Sequence, residues 1–280
     1  MSLPPLTRRA FLAAAAGVPL TLLYTWRIEP HWLEITERDL PIRHLPPHLA
    51  GRTLAHFSDL HIGRDVDPDY IAETFRRIAA RRPDIVVQTG DLITASGASG
   101  LAEVRRLLAA FPRGSLGSYA VLGNHDYGHN WSHADEADAV TAELTRAGVQ
   151  VLRNAQADCA GLRLVGFDDL WAGRFDPARA LAGLPADAPA LALCHNPDAC
   201  DLPGWENFRS WILAGHTHGG QCKPPFLPPP ILPVKNRRYT SGAFTLAGDR
   251  QLYISRGVGH LMRVRFNVRP EVALFTLRRA

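Results

Sequence analysis

The chain has 280 residues, 46% hydrophobic and 21% charged, with 23 glycines, 22 prolines and a formal net charge of +4. That apolar fraction excludes disorder as the main state, and scattered prolines without a short repeat exclude collagen-like and coiled-coil classes. A single long uncharged apolar stretch excludes a polytopic membrane protein. Without the first 26 residues, which hold Arg8 and Arg9 and no acid, the charge falls to +2. That is too little for a charge-driven nucleic-acid binder, so nucleic acid is not an expected partner.

Residues 1–26 place Arg8-Arg9 ahead of Phe11-Leu12 and an uncharged run from Ala10 to Trp26. A positive region followed by an apolar one is the layout of a signal segment. Thr-Arg-Arg-x-Phe-Leu resembles the twin-arginine export signal. That resemblance implies the twin-arginine export machinery as a partner and a periplasmic or extracytoplasmic location at the inner membrane. The run ends in Tyr24-Thr25-Trp26 with no small-x-small cleavage site. Residues 10–26 therefore also read as a retained membrane anchor, at the short end for spanning a bilayer.

Residues 27–51, with Pro41, Pro46 and Pro47, read as a linker, and residues 52–280 as one domain. Within that domain short apolar strands alternate with amphipathic helices, the pattern of an α/β fold with mixed sheets. Strands are expected at Thr53–Phe57, Ile85–Gln88, Tyr119–Leu122, Leu162–Phe167, Leu191–Leu193 and Trp211–Leu213. Asp67-Pro68 opens a helix whose stripe is Ile71, Phe75 and Ile78. Further helices are expected over Leu101–Phe111 and from a Ser132 cap to about Ala147. After Tyr239 the helical signals stop, and Ala243–Leu246, Gln251–Ile254 and Val272–Leu277 give a strand-rich ending. Cys159, Cys194, Cys200 and Cys222 have neither metal-site nor redox spacing and read as buried small hydrophobes.

Five polar clusters each follow an apolar strand. They are Ser58-Asp59-Leu60-His61, Gly90-Asp91, Gly123-Asn124-His125-Asp126, Cys194-His195-Asn196-Pro197-Asp198 and Gly215-His216-Thr217-His218. Active sites of α/β folds collect beyond the carboxyl ends of strands. Taken singly each cluster reads as a turn, a cap or a structural histidine. Among their side chains, Asp59, Asp91, Asn124 and five histidines make a donor set larger than one ion needs. The set suits two divalent ions sharing a bridging carboxylate. Nitrogen and oxygen donors without a placed thiol suit Mn, Fe or Zn. Arg64 beside the first cluster reads as a solvated arginine ahead of a phosphate contact.

Asp-x-His, Gly-Asp, Gly-Asn-His-Asp, His and Gly-His-x-His, in this order from Asp59 to His218, resemble the calcineurin-like binuclear metallophosphoesterases. Glu29-Pro30-His31, the Gly-Gly-Gln after His218, Arg238-Tyr239 with Ser241-Gly242, Ser255-Arg256-Gly257 and Arg269-Pro270-Glu271 resemble the exported bacterial envelope branch. The resemblance implies a four-layer αββα sandwich, two mixed sheets packed together with helices outside. It implies that Asp59, His61 and His218 hold one metal, that Asn124, His195 and His216 hold the other, and that Asp91 bridges them. It leaves His125 free of metal, facing the substrate.

That arrangement suits hydrolysis of phosphate esters. Two ions about 3.5–4 Å apart clamp a phosphoryl group and yield a bridging hydroxide as nucleophile. A free imidazole at His125 is then the general acid, with Asp126 beside it to fix its tautomer. The expected substrate is a phosphodiester or a diphosphate. Six prolines between 224 and 233, with Phe226, Leu227, Ile231 and Leu232, form a stiff apolar loop at the catalytic rim, which reads first as a rigid connector covering a sheet edge and otherwise as a lip for a lipid-linked substrate or a membrane surface. Alternatives are a non-enzymatic envelope protein with structural metals, which would close the ligand shell, and a nuclease of the same fold.

Overall fold

The computed structural model describes Thr7 and residues 17–63, 65–94 and 98–280. The Arg8-Arg9 pair and Arg64 lie outside the described residues. Residues 17–23 are helical and run into a π-helical turn at Tyr24–Ile28. No helix among the described residues is long and apolar enough to cross a membrane.

Twelve strands, among the described residues, form two six-stranded mixed sheets. The first sheet draws on β1 (Glu34–Ile42), β2 (Thr53–Phe57), β3 (Ile85–Thr89), β4 (Gly117–Val121), β5 (Gln150–Val151) and β12 (Glu271–Arg279). Their order is β1-β12-β2-β3-β4-β5, with β12 antiparallel to β2 and every other pair parallel. The second contains β6 (Ala155–Cys159), β7 (Leu162–Gly166), β8 (Ala190–Leu193), β9 (Trp211–Ala214), β10 (Gly242–Thr245) and β11 (Gln251–Ile254). It runs β10-β11-β9-β8-β7-β6, parallel through its centre and antiparallel at both edges.

The sequence of β3, Ile-Val-Val-Gln-Thr, explains the layering. All five residues are buried, as in a parallel strand covered on both faces. Ile85 and Val87 enter the core between the sheets with Leu54, Leu164, Leu191, Leu213 and Phe275. Val86 points the other way, into a core with Phe57, Phe75, Val104 and Leu144. The latter side chains come largely from three helices outside the first sheet: α1 (Pro68–Ala80), α2 (Ala98–Leu108) and α3 (Ala134–Arg146). Asp67 caps α1 by accepting from the Asp69 amide, with Pro68 at its first position, as expected. The outer face of the second sheet buries Val165, Ala192, Ile212 and Ile254 against Trp205 and Phe208. Its outer layer is the single-turn α4 (Pro177–Ala180), the 3-10 segment Pro197–Asp201 and loops.

Two expectations change. The stretch read as a linker contains β1, which pairs with β12 over nine residues from Glu34 to Ile42. Its exposed Glu37, Arg38 and Asp39 imitate linker chemistry, while Leu40 and Ile42 are buried between the sheets. Pro41 is tolerated because β1 is an edge strand. Helix α3 starts one residue later than a Ser132 cap requires. The hydroxyl of Ser132 donates back to the His129 carbonyl, and the cap position falls to His133.

Candidate metal centre

The five clusters meet where the two sheets abut. Loops after β2, β3 and β4 arrive from the first sheet, and loops after β8 and β9 from the second. They are laced by main-chain bonds: Asp59 N to Gly90 O at 3.0 Å, His61 N to Asp91 O at 3.1 Å, and Gly215 N to His195 O at 3.0 Å. The Asp59 carboxylate accepts from the His216 amide at 3.1 Å, joining the sheets directly. Glycine is required at position 90, where φ is +86° and a Cβ would stand 2.6 Å from His195 Nδ1.

Two groups of buried side chains result, Asp59, His61 and His218 in one and Asp91, His195 and His216 in the other. In the first, His61 Nε2 lies 3.0 Å from His218 Nε2, and His218 Nε2 lies 3.3 Å from Asp59 Oδ1. In the second, His216 Nδ1 lies 3.1 Å from His195 Nε2, and His195 Nε2 lies 3.2 Å from Asp91 Oδ2. The same Asp91 oxygen lies 3.7 Å from His61 Nε2, so this carboxylate spans both groups. Asn124 is buried beside them, and neither of its amide atoms has a hydrogen-bond partner. An unsatisfied buried amide is costly, and a cation at its Oδ1 would satisfy it.

Three of the four histidines are aimed from behind, while the buried Nδ1 of His218 has no hydrogen-bond partner. His61 Nδ1 meets Thr94 Oγ1 at 2.7 Å, His195 Nδ1 meets the Thr89 carbonyl at 2.8 Å, and His216 Nε2 meets the Pro233 carbonyl at 2.8 Å. Each contact leaves the opposite ring nitrogen facing the cluster, the arrangement that orients metal-binding imidazoles. Burial pushes His216 down to about 3 and holds His61 well below its ordinary value, so both offer neutral lone pairs at pH 7. Burial opposes ionisation of Asp91, but His195 beside it prevails and holds the carboxyl well below the usual range. The backbone is held under strain at the same place. Asp59, His61, Asp91, His216 and His218 all have φ between 48° and 73°, a region that non-glycine residues occupy at a cost.

His125 is half-buried, with its ring edge-on to His61 at 5.1 Å between centroids. Its ring borders an open groove with Thr94 and Trp131, and its amide donates to Asp91 Oδ1 at 2.9 Å. Asp126 does not serve as its tautomer partner. The Asp126 carboxylate accepts from the amides of Leu92, Ile93 and Gly123 at 2.8, 3.1 and 2.8 Å. Those three bonds use both oxygens, so Asp126 clamps the loop of Asp91 to the loop of Asn124. Burial, reinforced by the Asp91 charge, pushes it up to about 7.

The apolar lip is only partly as expected. Phe226, Leu227 and Ile231 are exposed, whereas Leu232 is 7% exposed and packs inward. Trp171 was not foreseen. It stands edge-on to His216 at 4.3 Å and tilts against Trp131 at 4.6 Å. Asp168 and Asp169 follow β7 in the same strand-end position as the five clusters, and that position is the signal that would have drawn attention to Trp171.

Comparison with known proteins agrees with this geometry. Residues 52–220 match the family described as calcineurin-like phosphoesterase. The phosphodiesterase YaeI of Escherichia coli (strain K12) is 31% identical over 281 aligned residues, 97% of this chain and 99% of YaeI. The uncharacterized metallophosphoesterase YkuE of Bacillus subtilis (strain 168) is 31% identical over 267 residues, 91% of this chain and 89% of YkuE. The UDP-2,3-diacylglucosamine pyrophosphatase LpxG of Chlamydia muridarum (strain MoPn / Nigg) is 25% identical over 316, covering 94% of each chain. Two buried His and Asp groups joined by one carboxylate, on a fold of two mixed sheets, thus accompany a family match over most of the domain: the chain belongs to the calcineurin-like phosphoesterases, enzymes that hydrolyse phosphate esters with two divalent metal ions.

Proposed function

We propose that this phosphoester hydrolase is a phosphodiesterase or pyrophosphatase of the cell envelope, acting on a substrate that carries a lipid. The observation that carries the reading is the reach of Asp91, one oxygen of which lies 3.2 Å from His195 and 3.7 Å from His61. Asp59, His61 and His218 would hold one ion, Asn124, His195 and His216 the other, and Asp91 both. Bound there, Mn, Fe or Zn would supply Lewis acidity toward a phosphoryl group and would lower the pKa of an attacking water. His125 is the general acid, delivering a proton to the leaving oxygen from the open groove. A half-buried imidazole in an open groove argues against purely structural metals, which need no such group.

The choice of diester or diphosphate is supported by the activities for which YaeI and LpxG are named. The envelope location is supported by Arg8-Arg9 and the apolar run behind them. Residues 1–26 are the signal or anchor in this reading, 27–51 lead out of it, and the catalytic domain spans 52–280 with β1 completing its first sheet. The test is hydrolysis of bis-p-nitrophenyl phosphate, p-nitrophenyl phosphate and a lipid diphosphate with added Mn²⁺. The reading expects metal-dependent cleavage of the diester or the lipid diphosphate in preference to the monoester. A strong preference for the monoester would contradict it.

A further inference from the structure

His216 and His218 have a second side. Both residues, one from each candidate metal group, line an apolar pocket of about 170 Å³. Ile231 and Pro233 line one flank, and Leu261 and Met262 the other. Apolar cavities of about 150 Å³ stay dry and accept hydrocarbon guests.

Both flanks are fixed relative to the histidines. The Pro233 carbonyl meets His216 Nε2 at 2.8 Å, tying the proline run to the metal centre. Gln221, three residues beyond His218, donates through Nε2 to the carbonyls of Met262 and Val264 at 3.1 Å and accepts from Leu261 N at 3.3 Å. The pocket is therefore preformed, which lowers the cost of ordering a guest.

Its mouth is apolar as well. Ile231 is 65% exposed and Met262 57% exposed. The apolar surface continues from there. Arg265 N donates to Thr25 O at 2.9 Å, and the Arg263 guanidinium lies 6.0 Å from the Trp26 ring. These contacts seat the 17–28 segment next to the mouth with Leu20, Leu22, Trp26 and Ile28 exposed. Exposed Arg27 and half-buried Arg263 flank the Trp26 ring, and half-buried Arg269 lies over the exposed Trp32 ring; cations interleaved with apolar groups match an anionic lipid surface.

We propose that this pocket is the subsite for the apolar chain of a lipid-linked phosphodiester or diphosphate, with its phosphoryl group at the two metal groups and its mouth turned to the bilayer. The proposal rests on the diesterase reading above and adds where the chain lies. A preformed apolar pocket that shares His216 and His218 with the two metal groups offers a chain a seat that a soluble substrate has no use for.

The test is a series of alkyl 4-nitrophenyl phosphate diesters, methyl to octyl, cleaved by the full-length Mn²⁺-loaded protein below the concentration at which the octyl ester aggregates. Each buried methylene should raise kcat/KM about fourfold until the pocket is full. Ile231→Asp and Met262→Asp, made separately at opposite flanks, should each flatten that dependence. If the methyl ester is cleaved and kcat/KM is independent of chain length, the subsite is overturned while the diesterase reading stands. If both Asp variants keep the wild-type slope, the chain lies elsewhere and the subsite is likewise overturned. If the apolar face instead seats a second copy, sedimentation will show a dimer that the Asp variants dissociate, with no chain-length dependence. Failure to cleave any ester of the series would remove the diesterase reading and the subsite with it.

Discussion

His125 and Asp126 are neighbours in sequence with opposite tasks, and their variants should separate those tasks. His125 touches the open groove and contributes only its main-chain amide to Asp91. His125→Ala should keep both ions and lose about 10²–10⁴ in rate, the usual contribution of a general acid. The loss should shrink for leaving groups acidic enough to depart unprotonated. Metal analysis beside rates on two leaving groups checks this, and loss of an ion would assign His125 to the metal shell. Asp126 holds three loop amides. Asp126→Ala leaves them unpaired in a buried place, at about 1–3 kcal/mol each before relaxation. A lower melting temperature and weaker metal retention together are therefore expected. A change in the pH profile with unaltered melting would instead restore Asp126 to the role of tautomer partner. The sequence marks both residues as part of one cluster. It cannot tell which atoms of Asp126 meet which amides, because two of the three belong to residues 92 and 93 in a different loop.

At the scale of elements, the strands that carry the site are legible because parallel strands buried on both faces read as unbroken apolar runs. The ends of β2, β3, β4, β8 and β9 therefore stand out in sequence, each followed by its polar cluster. Edge strands lack that signature. β1 mixes Glu37, Arg38 and Asp39 with Leu40 and Ile42, and β5 has only two residues. Pairing with β12, a partner more than two hundred residues away, makes β1 a strand, and no local pattern reports such pairing. A chain beginning at Gly51 would lose this edge and uncover β12. Removing Leu40 and Ile42 from the inter-sheet core alone should cost several kcal/mol, at about 1.5–3 kcal/mol for each buried side chain. A chain beginning at Arg27 should melt near the full-length protein, and one beginning at Gly51 well below it or not fold. Equal melting temperatures would return residues 27–51 to the status of a linker.

For the whole molecule, the two sheets exist at the site as a clamp. Each candidate metal group draws side chains from both sheets: His218 joins Asp59 and His61, and His195 and His216 join Asp91. The centre can therefore form only after the sheets have packed, which suits export in the folded, metal-loaded state. Replacing Arg8 and Arg9 together by Lys keeps the charge but removes the guanidinium pair that the twin-arginine receptor reads. Cell fractionation should then find the protein in the cytoplasm, whereas unchanged export would point to general secretion. The central claim is that one carboxylate serves two ions, and the most direct measurement is the metal content of purified Asp91→Ala beside the wild type, with turnover on the same samples. The wild type should hold two divalent ions per chain, and Asp91→Ala should lose metal and activity together. An Asp91→Ala protein that keeps two ions and normal turnover would contradict the account.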